Sequence, residues 1–109
     1  MNGQDLEIAQ RKIHREMEES KDTAREKEIE SAEYTKQYDI KLSQKMVALR
    51  ESGTLGSMVK DVAKGDPEIA ELKFQSRVAD AVASAARENI QIKKRVFDSI
   101  EATKKRELG

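Results

Sequence analysis

Apolar residues recur at intervals of three, four and seven positions over most of the chain, which is the spacing of one helical face. Asp5 can cap a first helix, and Gly53 suits the left-handed residue that ends one. We therefore predict a helix over about residues 5–51, and expect the thinly apolar part before residue 31 to fray or to depend on a partner. The first stripe contains Leu6, Ile13, Met17, Ala24, Tyr34, Tyr38, Leu42, Met46 and Leu49.

Two further helices are predicted after Gly53. Thr54 or Ser57 can begin a short helix in a connector over residues 54–64, and Gly65 ends it. Aspartate, proline and glutamate at positions 66–68 each favour the start of a last helix, which we expect from residue 67 to about 106. The connector would place Leu55, Met58, Val59 and Val62 on one side, and the last helix would pack through Leu72, Ala79, Val82, Ala86, Ile90, Phe97 and Ile100.

These elements predict an all-α fold, in which one domain over residues 1–109 forms a long, coiled-coil-like antiparallel helical hairpin with a short connecting helix. Eleven-residue steps along the last helix, such as Ala79 to Ile90, favour nearly straight helices. Small residues surround the helix between Val78 and Ala86, which indicates close neighbours on several sides. Because a hairpin supplies one long neighbour, we hypothesise that two copies form a four-helix bundle.

Composition narrows the class of protein further. Charged residues make up 39% of the chain and aromatic residues 4%, which also fits disorder, but the apolar periodicity from Tyr34 onward argues against it there. Basic and acidic residues balance at 21 each, so net charge favours neither nucleic acid nor an anionic membrane. The chain has no cysteine, no apolar run that could cross a bilayer and no secretory signal pattern, so we expect a cytoplasmic protein.

Catalytic and metal chemistry find little support in the sequence. His14 and Glu18 lie one helical turn apart, but two ligands are too few for a zinc site, and the chain offers no other histidine or cysteine. No nucleophile motif or glycine-rich phosphate loop is present. We therefore expect no enzyme activity, no cofactor and no small-molecule substrate.

Two basic triplets near the C-terminus are the candidates for contact with nucleic acid. Their first members lie eleven residues apart, so equivalent members stack on one side of a helix, with Arg87 nearby. Such a ridge can bind phosphates, but interspersed acidic residues and the stabilising effect of cations at a helix C-terminus offer another explanation. The triplets are Lys93, Lys94 and Arg95, and Lys104, Lys105 and Arg106.

Apolar and aromatic residues outside the main stripe are the candidates for contact with a protein partner. Tyr34 and Tyr38 share a face and form either an aromatic binding pair or part of the core opposite the last helix. Phe74 falls off the stripe, on a side that would face a partner. The small-residue stretch adds Val78, Ala81, Val82 and Ala85.

The stretch from Tyr38 to Leu108 resembles small helical proteins of tailed bacteriophages and prophages. The residues that carry the resemblance are 38–42, 49–51 and 62–66, followed by a long helix with Ala79, Ala86 and Ile90 and by residues 105–107. Members of that group often lie near early genes for recombination or single-stranded DNA handling. Most of those proteins have no assigned function, and the resemblance implies only a setting, which is DNA replication, recombination or host takeover within the bacterial cytoplasm. Docking on another protein is the hypothesis that the small-residue stretch and the aromatic residues Tyr34, Tyr38 and Phe74 favour.

Overall fold

The structure, a computed structural model, describes residues 2–108 and contains three helices. These are α1 (Gly3–Glu51), α2 (Val59–Lys64) and α3 (Pro67–Leu108), and no strand occurs in the described residues. The all-α helical hairpin predicted from the sequence is confirmed. The chain divides into two compact units, which we call the terminal unit (residues 2–26 and 82–108) and the central unit (Lys27–Ala81).

The first helix begins earlier than predicted because a different residue caps it. Asn2 Oδ1 accepts a hydrogen bond from the backbone N–H of Asp5 at 2.9 Å. The prediction that Asp5 is the cap is therefore wrong, and Asp5 lies in the first turn, where its negative charge favours the helix dipole. Both residue types are good caps, and the one further upstream takes the role.

The end of α1 follows the sequence prediction. Gly53 has a φ of +87°, in the left-handed region that glycine adopts readily. The N–H of Thr54 bonds to the carbonyl of Leu49 at 3.0 Å, and the N–H of Gly53 bonds to that of Arg50 at 3.1 Å. This pair of bonds is the Schellman arrangement, which satisfies carbonyls left free at a helix end.

The connector contains a shorter helix than the sequence predicted. Met58 precedes α2 with no side-chain capping bond, so the assignment of Thr54 or Ser57 as its cap is wrong. Val59 and Ala63, one turn apart, are buried. Of the four connector residues predicted on one side, only Val59 is buried, and the other three are exposed: Leu55, Met58 and Val62.

The start of α3 confirms the predicted capping aspartate. Asp66 Oδ1 accepts hydrogen bonds from the backbone N–H groups of Glu68 at 3.0 Å and Ile69 at 3.3 Å. Its second oxygen lies 3.5 Å from the Lys45 ammonium. The N–H of Ile69, with that of Glu68 and the Lys45 charge, holds the pKa of Asp66 below its ordinary value.

In the central unit, α1 and α3 run antiparallel with polar contacts across their interface. The hydroxyl oxygens of Ser31 and Ser76 are 3.3 Å apart, within hydrogen-bonding distance. The hydroxyl oxygen of Thr35 lies 2.9 Å from the same Ser76 oxygen. Further along, the Lys41 ammonium lies 3.6 Å from Glu68. The apolar core beside these contacts consists of Val59, Ala63, Ile69 and Ala79.

The terminal unit has the same antiparallel arrangement with its own core. Asn89 Nδ2 donates to Ser20 Oγ at 2.8 Å. Gln10, almost fully buried, donates to Glu101 Oε2 at 2.6 Å and accepts from Lys104 Nζ at 2.9 Å. The buried apolar residues are Leu6, Ile13, Ala24 and Ala83.

The packed face of α3 follows a seven-residue repeat. Buried or half-buried side chains occupy positions 69, 76, 83, 90, 97 and 104, and between them 72, 79, 86, 93 and 100. The eleven-residue step found in the sequence connects some of these positions, such as 79 and 90, but the packed positions as a whole recur every seven residues. Val82 was expected on the packed face and is exposed; Ala83 takes that place.

Candidate interaction surface

An exposed apolar pair lies on α3 in the central unit. Phe74 retains 58% of its accessible surface and Val78 retains 42%, and the two residues lie one turn apart. Single exposed apolar residues are common on proteins, whereas contiguous apolar surface often marks a binding site.

Phe74 shares a surface cavity of about 340 Å³ with the Tyr38 ring. Tyr38 comes from α1, Lys64 from the end of α2, and the remaining lining residues lie on successive turns of α3. Ala70 stands one turn before Phe74, where its small side chain leaves room beside the ring. The α3 residues that line the cavity are Ala70, Lys73, Phe74 and Arg77.

Three cations line the same cavity as these two aromatic rings. Lys73 Nζ lies 5.1 Å from the centre of the Tyr38 ring, within the range of a cation–π interaction. Lys64 and Arg77 complete the positive rim. Within residues 2–108, none of the three forms an ion pair with a carboxylate. The cavity thus combines aromatic surface with positive charge available to a ligand.

The predicted protein-contact residues fall into both units. In the central unit, Tyr34 and Tyr38 are half-buried, whereas Phe74, Val78 and Ala81 are exposed. The two tyrosines are therefore neither buried in the core nor fully exposed to a partner. Of the two, Tyr38 lines the cavity. In the terminal unit, Val82 and Ala85 are exposed.

Val82 and Ala85 belong to a second apolar stripe within the terminal unit. Ile92 and Val96, also exposed, continue it along α3. The steps from 82 to 89 to 96, and from 85 to 92, are seven residues, although Asn89 interrupts the apolar series. This spacing is that of a coiled-coil seam. Sequence reasoning named only the first two of these residues, because it stopped at the end of the small-residue stretch.

The basic triplets do not present a continuous positive ridge. Lys93 pairs with Glu16, and Lys104 donates to Gln10, so the first member of each triplet faces α1. Both occupy positions of the seven-residue packed face. Phosphate contact by the six residues stays a prediction, and these two also contact α1. The other members are exposed, as is Arg87: Lys94, Arg95, Lys105 and Arg106.

A second cavity, of about 440 Å³, lies in the terminal unit beside Gln10 and is also lined by His14 and Phe97. Its acidic neighbour Glu101 accepts a hydrogen bond from Gln10, which lowers the pKa of that carboxyl. Lys93 similarly lowers the pKa of Glu16. A lowered pKa keeps a carboxylate ionised at neutral pH, whereas a general acid requires a raised one. Residues 2–108 bring together no group of three metal-ligating side chains.

Sequence reasoning missed Lys64, Lys73 and Arg77. A partial signal was present, because Lys73 and Arg77 flank Phe74 at positions that share its side of a helix. Lys64 joins them only through the connection at residues 65–66 between α2 and α3. None of the described helices is long and apolar enough to cross a membrane.

Comparison of the chain with protein-family models, curated proteins and solved structures finds no match.

Proposed function

We propose that the protein is a non-catalytic helical module that docks on another protein through Phe74 and Val78. The observation that carries this proposal is the exposure of the Phe74 ring beside Tyr38 at a formed cavity. Burying such a side chain in a partner favours association by about 25 cal/mol for each Å² of apolar area removed from water, before the cost of ordering the two partners is subtracted. Aromatic and arginine side chains also dominate the energetics of many interfaces.

The proposed setting is the bacterial cytoplasm, where a phage-encoded protein would assist or inhibit DNA replication or recombination, or act in host takeover. This part of the proposal rests on the resemblance to small helical phage proteins. The docking surface itself rests on the exposed residues of α3, so it does not depend on the setting.

A pull-down from bacterial lysate with matched variants tests the proposed docking surface. Phe74→Ser removes the exposed ring, whereas Ile40→Ser removes an exposed apolar side chain from α1 of the same unit. We expect the wild type and Ile40→Ser to retain the same partner and Phe74→Ser to lose it. Equal retention by both variants would contradict docking through Phe74, and so would the absence of any retained protein.

Self-association is a second candidate function, favoured by the apolar stripe of the terminal unit. Two copies packed through Val82, Ala85, Ile92 and Val96 would form the four-helix bundle of a homodimer, and longer arrays would make a structural coiled coil. Light scattering coupled to size-exclusion chromatography should then give a dimer that persists at high salt. Val82→Asp with Ile92→Asp should give a monomer, and a monomeric wild type would exclude this candidate.

Direct binding of nucleic acid is a less favoured alternative. Lys94, Arg95, Lys105 and Arg106 remain exposed, whereas Lys93 and Lys104 also contact α1. Phosphate binding by the four exposed residues would be strongly salt-dependent. Replacing the four with glutamine would abolish such binding.

A further inference from the structure

We propose that the cavity beside Phe74 binds an acidic segment of the protein partner, in which one or more carboxylates stand next to an aromatic or aliphatic side chain. This inference rests on the proposed docking function and specifies the chemistry of the partner. It concerns the cavity lined by Tyr38, Lys64, Ala70, Lys73, Phe74 and Arg77.

The charge around the cavity argues for an acidic ligand. Two lysines of the central unit meet carboxylates, Lys41 with Glu68 and Lys45 with Asp66. The three cations at the cavity form no such pair among the described residues, although they converge on one space of about 340 Å³. A carboxylate placed there would lie near several positive charges at once, which an isolated surface pair does not achieve.

The side chains also provide geometry suited to a carboxylate. The planar guanidinium of Arg77 can donate two parallel hydrogen bonds to one carboxylate. Lys73 already lies over the Tyr38 ring, which limits the orientations open to its ammonium. Lys64, Lys73 and Arg77 together thus offer several hydrogen-bond donors to the carboxylates of a ligand.

The aromatic rings account for the apolar part of the ligand. Phe74 and Tyr38 present their surface to the same cavity as the cations. A partner's apolar side chain against these rings would exclude water from the neighbouring charges and strengthen their attraction to a carboxylate. An acidic residue beside a bulky apolar one therefore fits the cavity better than either alone.

A second copy of the chain fits this cavity poorly. In a two-fold symmetric contact the same patch lies on both subunits, so a contact centred on this cavity would bring two positive patches together. Like charges brought together in this way oppose association. The apolar stripe of the terminal unit has no such concentration of cations and remains the candidate for self-association.

A nucleic acid also fits less well than an acidic peptide. Exposed carboxylates lie close in sequence to the three cations: Asp61 precedes Lys64, Glu71 precedes Lys73, and Asp80 follows Arg77. The positive region is therefore local, whereas proteins that bind single strands generally track the phosphate chain with a continuous positive groove. A short peptide with a few acidic residues matches a region of this extent.

Selection from a display library of random dodecapeptides on the full-length protein tests the inference. We expect the selected peptides to be enriched in aspartate and glutamate next to tryptophan, phenylalanine or leucine. A synthetic peptide from the selection should bind about tenfold more weakly when Lys64, Lys73 and Arg77 are all replaced by glutamine. It should also bind more weakly to Phe74→Ala, and more weakly to the wild type at high salt.

The matched control removes the same charge from exposed positions of the terminal unit: Lys94→Gln, Arg95→Gln and Lys105→Gln. This variant should bind the peptide as the wild type does, and circular dichroism should show unchanged helix content in both triple variants. Recovery of no peptide, selection of peptides without acidic enrichment, or equal weakening in both variants would overturn the inference. So would displacement of the peptide by an oligothymidine, which would indicate a nucleic-acid site.

The outcomes separate this inference from the docking proposal. If the lysate partner depends on Phe74 but the selected peptides are not acidic, the docking surface stands and the acidic ligand is wrong. If the lysate partner does not depend on Phe74, the proposed function fails, whatever the composition of the selected peptides.

Discussion

The packing of α3 in the terminal unit predicts opposite effects for the same substitution at two neighbouring positions. Ala83 is completely buried, whereas Ala85, two residues later on the same helix, is exposed. Replacing Ala83 with leucine should destabilise the protein. Replacing Ala85 with leucine should leave its stability nearly unchanged.

The expected size of the effect follows from the space available at each position. Leucine adds three carbon atoms, and at Ala83 no accessible surface remains to receive them. Overpacking of this kind typically costs about 1–3 kcal/mol, because neighbouring side chains and backbone must shift. At Ala85 of a single copy of the chain the added atoms extend into solvent, where surface substitutions usually change stability by within about 0.5 kcal/mol. The difference in intrinsic helix propensity is the same at both positions and cancels in the comparison.

Urea denaturation followed by far-ultraviolet circular dichroism measures this difference. For a small protein that loses about 1–3 kcal/mol of stability per molar urea, the midpoint for Ala83→Leu should fall by about 1 M. The midpoint for Ala85→Leu should stay close to that of the wild type. Equal midpoints, or a larger fall for Ala85→Leu, would refute the assignment of Ala83 to the packed face.

Two other predictions concern the polar groups that hold α1 and α3. Asn caps helices as well as Asp does, so Asp66→Asn should keep the cap while removing a titrating group. The lowered pKa of Asp66 contributes stability that is present above its unfolded-chain pKa of about 3.9 and is lost as the pH falls through its folded value. Asp66→Asn should therefore lose less stability in acid than the wild type, and an identical pH dependence would contradict the capping role. Gln10→Met should raise the pKa of Glu101 in a nuclear magnetic resonance titration, since Gln10 donates the hydrogen bond that lowers it; an unchanged pKa would show that this bond does not form in solution.

Features of the fold that depend on local chemistry could be predicted from the sequence. Gly53 ends α1 because few other residues accept its left-handed backbone, and Asp66 caps α3 through N–H groups only two and three residues away. The first cap was harder to assign, because Asn2 and Asp5 are both suitable and lie within one turn of each other. The choice between them depends on where the helix begins, which neither residue determines alone.

The packed face of α3 was ambiguous where the sequence offers little contrast between its sides. Between Val78 and Ala86 nearly every position is small, so Val82 and Ala83 were equally plausible core residues. The charges of Lys93 and Lys104 indicate surface positions, although the seven-residue repeat places both towards α1. Long side chains of this kind can bury their carbon atoms and still bring the ammonium to a polar partner.

The candidate site was only partly accessible to sequence reasoning. Phe74 could be found because it departs from the main apolar stripe, and Tyr38 because it pairs with Tyr34. The cations could not be grouped with them in the same way, since Lys64 reaches the cavity only through the turn between α2 and α3. A charge balance taken over the whole chain also conceals a positive region of three residues.

Site-specific photo-crosslinking tests the docking proposal most directly. A photoreactive phenylalanine derivative would replace Val78 in the full-length protein expressed in bacteria, with the same group at Val47, an exposed position on α1 of the central unit, as the control. We predict an adduct between position 78 and a different protein, which is absent from position 47 and is lost when Phe74→Ser is added. Adducts only between copies of this chain, no adduct at position 78, or equal adducts at both positions would contradict docking through the exposed face of α3.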